Sequence, residues 1–251
     1  MKIGIIGSGA VAQTLAAGFI KHGHEVTLGT RDVSKLADFA AKTPGARLAS
    51  GADAAAFGEL VVLAVKGGAA LQATRDAGAG LDGKPVLDTT NPIADAPPVD
   101  GVLPYFTGRN ESLLESLQAA HPKARLVKAF NSVGAGRMID PDFGGTRPTM
   151  FIAGNDASAK ATATALLAQV GWDSADMGTA VAARDRAAGR AVVHPGLPRG
   201  LVDACVQAAA LRPACKPPSH PAACRSAARR PTAPSTSPAK CRASVAGRCC
   251  C

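Results

Sequence analysis

The chain has 251 residues and a formal net charge of +9, but these totals merge two unlike segments. Residues 1–184 hold 17 basic and 17 acidic side chains, every aromatic residue and no cysteine, whereas residues 185–251 hold 11 basic and 2 acidic side chains, all 7 cysteines, half of the 18 prolines and no aromatic. The positive charge is therefore a property of the tail and excludes a nucleic-acid-binding reading of the folded part; about 184 residues suffice for one α/β domain.

In chain order, Met1 to Ile6 alternates apolar and small residues and runs into Gly7-Ser8-Gly9-Ala10-Val11-Ala12, after which apolar residues recur at helical spacing. That pattern predicts strand, glycine turn, helix and, before Arg31, a second strand. Gly7 permits a tight turn, Gly9 lets backbone approach a pyrophosphate, and Ala12 lets the helix pack close to the strand. The helix N-terminus then aims free N–H groups at the phosphates. A helix follows from Ser34 to Ala41, with Asp32 placed to cap it, then a short third strand over Ala46 to Ala49 and a helical turn from Asp53 to Phe57. Leu60 to Val65 is a continuous apolar run of the kind that a strand buried on both faces requires. After Lys66-Gly67-Gly68 a helix reaches about Ala77, and Pro85 to Thr89 forms a fifth strand that stops at Thr90-Asn91-Pro92.

From Pro92 to Arg109 lies a proline-rich loop with Tyr105 and Phe106, long for a compact domain and leaving from the carboxyl end of a strand; it is expected to be a lid over a substrate pocket. Ser112-x-x-Glu115 marks a capping box for the next helix. Leu126 to Asn131 and Pro148 to Ala153 read as strands six and seven, Ala157 to Val170 as a helix, and Trp172 to Met177 as a last strand. Strand and helix alternating on this spacing predict an α/β fold: a single Rossmann-type domain with a doubly wound, mostly parallel sheet.

The end of the second strand says which dinucleotide is held. An NAD site places Asp or Glu about 20 residues after the glycines to hold the ribose hydroxyls. Here the corresponding place is Gly29-Thr30-Arg31, with Lys35 one helical turn on. A cationic fork, a point charge and a hydroxyl suit the 2′-phosphate of NADP; the alternative is a solvated basic pair at a helix start.

The opening fingerprint, Gly29-Thr30-Arg31, Asn91-Pro92, the run Lys128 to Gly134 and the Gly171-Trp172 to Gly178 segment together resemble the family of NADPH-dependent reductases of the deazaflavin coenzyme F420, which also supplies the cytosolic NADPH domain of membrane ferric reductases. The resemblance covers residues 1–184. It implies that Ser8, Thr30, Arg31 and Lys35 hold the 2′-phosphate. It also implies hydride transfer from C4 of NADPH to a planar acceptor, a deazaflavin or flavin, with the protein contributing alignment and exclusion of water. Ala12 stands where many members have Gly.

No catalytic triad and no metal site are expected. His22 and His24 read as solvated. Residues at the carboxyl ends of strands, Val65, Lys66, Asn91, Ala129, Phe130 and Asn131, are the candidates for the nicotinamide pocket; a surface salt bridge is the competing explanation for Lys66 and for Lys128. Two other classes share part of this pattern. An imine or hydroxy-acid reductase begins alike but continues into an all-helical domain, and a non-catalytic NADPH sensor would share the cofactor residues alone.

The chain has no uncharged apolar run near 18 residues, and its N-terminus reads as a strand rather than a signal peptide, so a cytoplasmic protein without a membrane partner is expected. The tail lacks the apolar content to order itself, and its cysteines contain no C-x-x-C pair. A basic RNA-binding arm is one reading. The preferred reading is translation in the wrong frame: shifted by one base, Asp185 to Ala209 permits Ile-Glu-Pro-Leu-Val-Val-Leu-Trp-Cys-Ile-Pro-Gly-Phe-Leu-Ala-Gly-Ser-Trp-Thr-His-Ala-Phe-Lys-Leu-Leu. That string is similar to how members of the family end. The chain as written would then lack a final helix and its share of the acceptor pocket or of a homodimer contact.

Overall fold

The structure, a computed structural model, describes residues 1–100 and 103–184. The expectations for residues 185–251 lie outside the described residues. Strands β1 (Lys2–Ile6), β2 (Glu25–Gly29), β3 (Ala46–Ala49), β4 (Leu60–Leu63), β5 (Pro85–Asp88), β6 (Arg125–Lys128), β7 (Thr149–Gly154) and β8 (Asp173–Asp176) form one sheet in the order β3-β2-β1-β4-β5-β6-β7-β8. The first six run parallel. β7 enters antiparallel to β6, with Val127 opposite Gly154 and Lys128 opposite Ala153, and β8 lies parallel to β7. This is the Rossmann-type, mostly parallel, doubly wound sheet expected of the sequence, and the order reverses direction between β1 and β4.

Among the described residues six α-helices cover it: α1 (Ala10–Lys21), α2 (Ala37–Lys42), α3 (Gly51–Phe57), α4 (Gly67–Ala77), α5 (Leu113–Ala120) and α6 (Ala157–Gln169). Because strand side chains alternate faces, β4 feeds two cores. Val62 joins Ile3, Ile5, Leu15, Phe19, Leu166 and Leu167 on the face covered by α1 and α6. Val61 and Leu63 join Ile6, Ala55, Ala70, Leu114 and Leu117 on the opposite face, covered by α3, α4 and α5. All four β4 residues are at most 1% exposed, the burial on both faces that the unbroken apolar run demanded.

Element boundaries follow local chemistry. The helix expected over Ser34 to Ala41 is split into a 3-10 turn (Val33–Leu36) and α2, because the Asp32 side chain accepts from the Ser34 N–H and fixes a tight first turn. Ser112 caps α5 by accepting from the Glu115 N–H at 3.1 Å, but the Glu115 carboxylate accepts from Ser112 Oγ and from Arg184. The connection between β6 and β7 is pinned where the Trp172 indole donates to the Met138 carbonyl at 2.9 Å. His22 and His24 are not simply solvated. Each is half-buried; His22 Nε2 bonds Asp140 Oδ1 and His24 Nε2 bonds Gln169 Oε1, both at 2.8 Å, so they fasten the end of α1 to later parts of the chain. Burial depresses the His24 imidazole below its ordinary value.

Candidate cofactor site

The carboxyl edge of the sheet is one hydrogen-bonded rim. The Gly7 N–H donates to the Gly29 carbonyl (2.8 Å), Ala64 to Ile6 (2.8 Å), Thr89 to Leu63 (3.2 Å) and Ala129 to Asp88 (3.1 Å), so the segments leaving β2, β1, β4, β5 and β6 are tied in that order. Along this rim lie Thr30 and Arg31, then Gly7 to Gly9, then Val65 and Lys66, then Asn91, then Asn131. Adjacent strands are about 4.8 Å apart, so the row extends about 19 Å across the topological switch point, the place where doubly wound folds lay an extended dinucleotide.

The glycine turn contains two glycines with different duties. Gly7 has φ +145°, and a Cβ there would sit 2.2 Å from the Ala64 carbonyl oxygen, so the fold itself requires glycine. At Gly9 a Cβ would meet nothing within 4 Å, and φ is an ordinary −79°. Among the described residues, the 4 Å around that position hold no side chain or backbone beyond its own chain neighbours. Gly9 is also the N-cap of α1: among the described residues no side chain caps the helix and its first turn has no acidic residue, which leaves its first N–H groups without acceptors there. An open cradle facing free N–H groups and the positive end of a 12-residue helix fits a pyrophosphate. Ala10 is exposed and Val11 half-buried at its rim, Ser8 holds its place through its carbonyl, which accepts from Gln13 Nε2 at 2.9 Å, and Ala12 is fully buried against the strand. The methyl group of Ala12 is accommodated at this close approach.

At the end of β2, Arg31 and Lys35 are exposed, and neither makes a hydrogen bond or an ion pair among the described residues. Thr30, half-buried, exchanges weak hydrogen bonds with the Asp32 backbone at 3.3 and 3.4 Å. Asp32 is the neighbouring acid, and its carboxylate is engaged by the hydroxyl and the N–H of Ser34 (2.6 and 3.1 Å). Those bonds, with a smaller contribution from Lys35, hold it below the usual carboxylate range. Two uncommitted cations and a committed acid suit a phosphate rather than a ribose diol.

On the other half of the rim the structure separates the pocket candidates. Ala129 and Phe130 are fully buried in the core, so their side chains belong to packing. Phe130 has φ +61°, a left-handed conformation uncommon for a bulky residue, and its N–H points to Met150 Sδ. Val65 is half-buried against the second core; Lys66 is exposed at the N-cap of α4 and makes no ion pair among the described residues. Asn91 and Asn131 come together across the rim: Asn91 Nδ2 donates to the Asn131 carbonyl at 2.8 Å and Asn131 Nδ2 to Asn91 Oδ1 at 3.3 Å.

Lys128 corrects the sequence expectation. It does make a salt bridge, but not on the surface: its side chain is 2% exposed and bonds Asp88, which is 0% exposed, at 2.8 Å. Asp88 and Thr90 were not singled out from sequence. The available signal was that β5 and β6 both end their apolar runs on a charge, Leu87-Asp88 and Val127-Lys128, of opposite sign.

A sequence profile of the family described as NADP oxidoreductase coenzyme F420-dependent matches residues 2–92. A solved structure from Arthrobacter sp. FB24, provisionally assigned as an F420-dependent NADP-reductase, is 36% identical, superposes with a TM-score of 0.70, and covers 74% of this chain and 89% of that one. The chain belongs to the coenzyme F420-dependent NADP oxidoreductase family. By membership it is an NADP-dependent oxidoreductase. The rat metalloreductase STEAP3 is 27% identical over 186 residues, 73% of this chain, which spans about a third of that curated relative (35%). A reductive aminase from Aspergillus terreus is 20% identical with a TM-score of 0.54, covering 74% of this chain and 59% of that one, and shares the fold. Among the described residues, no helix is long and apolar enough to cross a membrane.

Proposed function

We propose that this chain transfers a hydride between NADP(H) and a planar redox acceptor of the deazaflavin or flavin kind. The observation that carries the reading is the uncommitted pair Arg31 and Lys35 beside the open N-terminus of α1. Arg31 would clamp the 2′-phosphate bidentately, with Lys35, Thr30 and Ser8 around it, while Gly9 and the first N–H groups of α1 receive the pyrophosphate. When bound, NADPH supplies the hydride itself. The chain's part is to seat the two rings in contact and to keep water away. Val65, Asn91 and Asn131 line the rim where the nicotinamide end would lie. The Pro92–Arg109 loop rises beside Asn91 and exposes Ile93, Leu103, Tyr105 and Phe106, an apolar surface suited to a flat ring.

Absorbance of NADPH followed with deazaflavin, flavin and ferric acceptors tests the reading. Oxidation of NADPH, and not of NADH, by a deazaflavin or flavin is expected. Tight binding with no oxidation by any acceptor would make the protein a sensor, and oxidation by ferric chelates alone would give it a different acceptor class.

A further inference from the structure

The segment Arg31-Asp32-Val33-Ser34-Lys35 sets a carboxylate between two cations, and all three charged side chains are exposed. A free aspartate so placed has two long, flexible cationic neighbours to pair with. Asp32 nevertheless makes no ion pair with Arg31 or Lys35 among the described residues. Its Oδ1 accepts instead from the Ser34 hydroxyl at 2.6 Å and from the Ser34 N–H at 3.1 Å. Its backbone is held from the other side, where the Asp32 N–H donates to Thr30 Oγ1 (3.3 Å) and the Thr30 hydroxyl donates to the Asp32 carbonyl (3.4 Å). Asp32 is the N-cap of the 3-10 turn Val33–Leu36, in extended backbone with φ −138° and ψ 100°. The cap itself uses the Ser34 N–H alone. The hydroxyl is a second donor on the same oxygen, and a charge-assisted bond of this length is a strong one.

The position of this acid matters for cofactor choice. In an NAD site a carboxylate near the end of the second strand receives the ribose hydroxyls. Toward a 2′-phosphate the same group acts twice over: it competes for the cations that would hold the phosphate, and it repels the phosphate directly. Taking up a proton would relieve that conflict, but the two Ser34 bonds favour the ionised form and hold the Asp32 carboxyl below the usual carboxylate range. The conflict is removed by position instead. With Oδ1 turned back onto Ser34, Arg31 and Lys35 stay uncommitted.

We propose that Ser34 is a specificity-determining residue whose hydroxyl keeps the Asp32 carboxylate off Arg31 and Lys35, leaving both cations open to the 2′-phosphate of NADP(H). The inference rests on the NADP(H) reading above and deepens it. Ser34 touches no cofactor in this scheme. It is a positioning residue that acts through the acid, and Asp32 is a latent determinant for the other dinucleotide.

Titration of the full chain with NADPH and with NADH, at low and at high salt, tests this. In Ser34→Ala, NADPH affinity should fall about threefold to tenfold while NADH affinity changes less than about twofold, because the released carboxylate opposes only the cofactor that carries the phosphate. The loss should shrink at high salt, which screens exposed charges. Asp32→Asn/Ser34→Ala should recover NADPH affinity to within about twofold of the unaltered chain, since an amide caps the turn without a charge. A serine that merely shapes the turn would give a different pattern: both cofactors weakened in parallel, or a double variant as weak as Ser34→Ala. Either result overturns the proposal, as does NADPH affinity unchanged in Ser34→Ala. An unaltered chain that binds NADPH no better than NADH would instead bring down the NADP(H) reading, and this inference with it.

Discussion

The proposed discrimination between the two nicotinamide dinucleotides falls chiefly to one side chain, Arg31. Arg31 has no competing partner among the described residues, so its guanidinium is available to a phosphate without breaking a bond. Arg31→Ala should therefore weaken NADPH binding by roughly 2–4 kcal/mol and leave NADH nearly unchanged, because the charged fork meets a 2′-phosphate only in the former. Titration with both cofactors checks this, and equal losses would remove Arg31 from the site. The two glycines of the first turn make a matched pair of expectations. Gly9→Val adds a side chain to open space at an ordinary φ but makes a poorer N-cap, so stability should fall by only about 1 kcal/mol while NADPH binding is lost. Gly7→Ala forces a Cβ into the Ala64 carbonyl at φ +145° and should destabilise the fold itself.

At the scale of elements, the described parts of the loop from Pro92 to Arg109 carry regular pairing that its composition does not suggest. Its two arms pair as a short antiparallel ladder, with a bridge between Ile93 and Tyr105, the Ala94 N–H on the Pro104 carbonyl (2.8 Å) and the Phe106 N–H on the Pro92 carbonyl (2.9 Å). A preformed arm bearing aromatic rings fits the acceptor side of the site. Tyr105→Ala should raise the acceptor KM and spare NADPH affinity; an unchanged KM would return the loop to a structural role. A second element-level expectation concerns α5. Arg184 donates to Glu115 through two bonds of 2.8 and 2.7 Å, and chiefly these hold the Glu115 carboxyl below its ordinary value of 4.5. A carboxyl depressed in the folded state contributes stability above the unfolded value and loses it as pH falls through the folded one. Both partners are partly exposed and screened by solvent, so Arg184→Met should be only slightly less stable at pH 7, and the gap between variant and unaltered chain should narrow as pH falls below 4.5. Chemical denaturation at pH 7 and pH 3 measures it, and a constant gap would contradict the linkage.

For the whole molecule the open matter is the segment after Arg184. Read one base over, its codons permit an aromatic, apolar string similar to the ends of family members, so the gene or its record is expected to carry a frameshift near that arginine. Reading the nucleotides over codons 180–212 decides it. If the wobble bases spell the shifted string, a chain with the frame restored should have the higher Tm and bind NADPH more tightly, because an apolar, aromatic sequence can bury surface that a basic one without aromatics cannot. If they do not, the tail is genuine and has a role of its own.

Local pattern determined the parallel α/β fold and pointed to the residues proposed for the adenosine half of the site. β1, the glycine turn and α1 are consecutive, the apolar run of β4 can be buried on both faces only inside such a sheet, and Thr30, Arg31 and Lys35 stand within a few residues of one another. Signals of that kind survive in a linear string because the interacting groups are neighbours in it. The sequence also named Asn91 and Asn131 as candidates, but only the tertiary structure brought them together and placed Lys128 inside the fold against Asp88. Asp88 and Lys128 are 40 residues apart, as are Asn91 and Asn131, and only the β5–β6 register sets each pair face to face. The same register separated Asn131, which reaches the rim, from Ala129 and Phe130, which the core takes. Lys128 by itself looks like any surface lysine; its burial depends on which strand lies alongside, and strand order is set by the packing of the whole sheet.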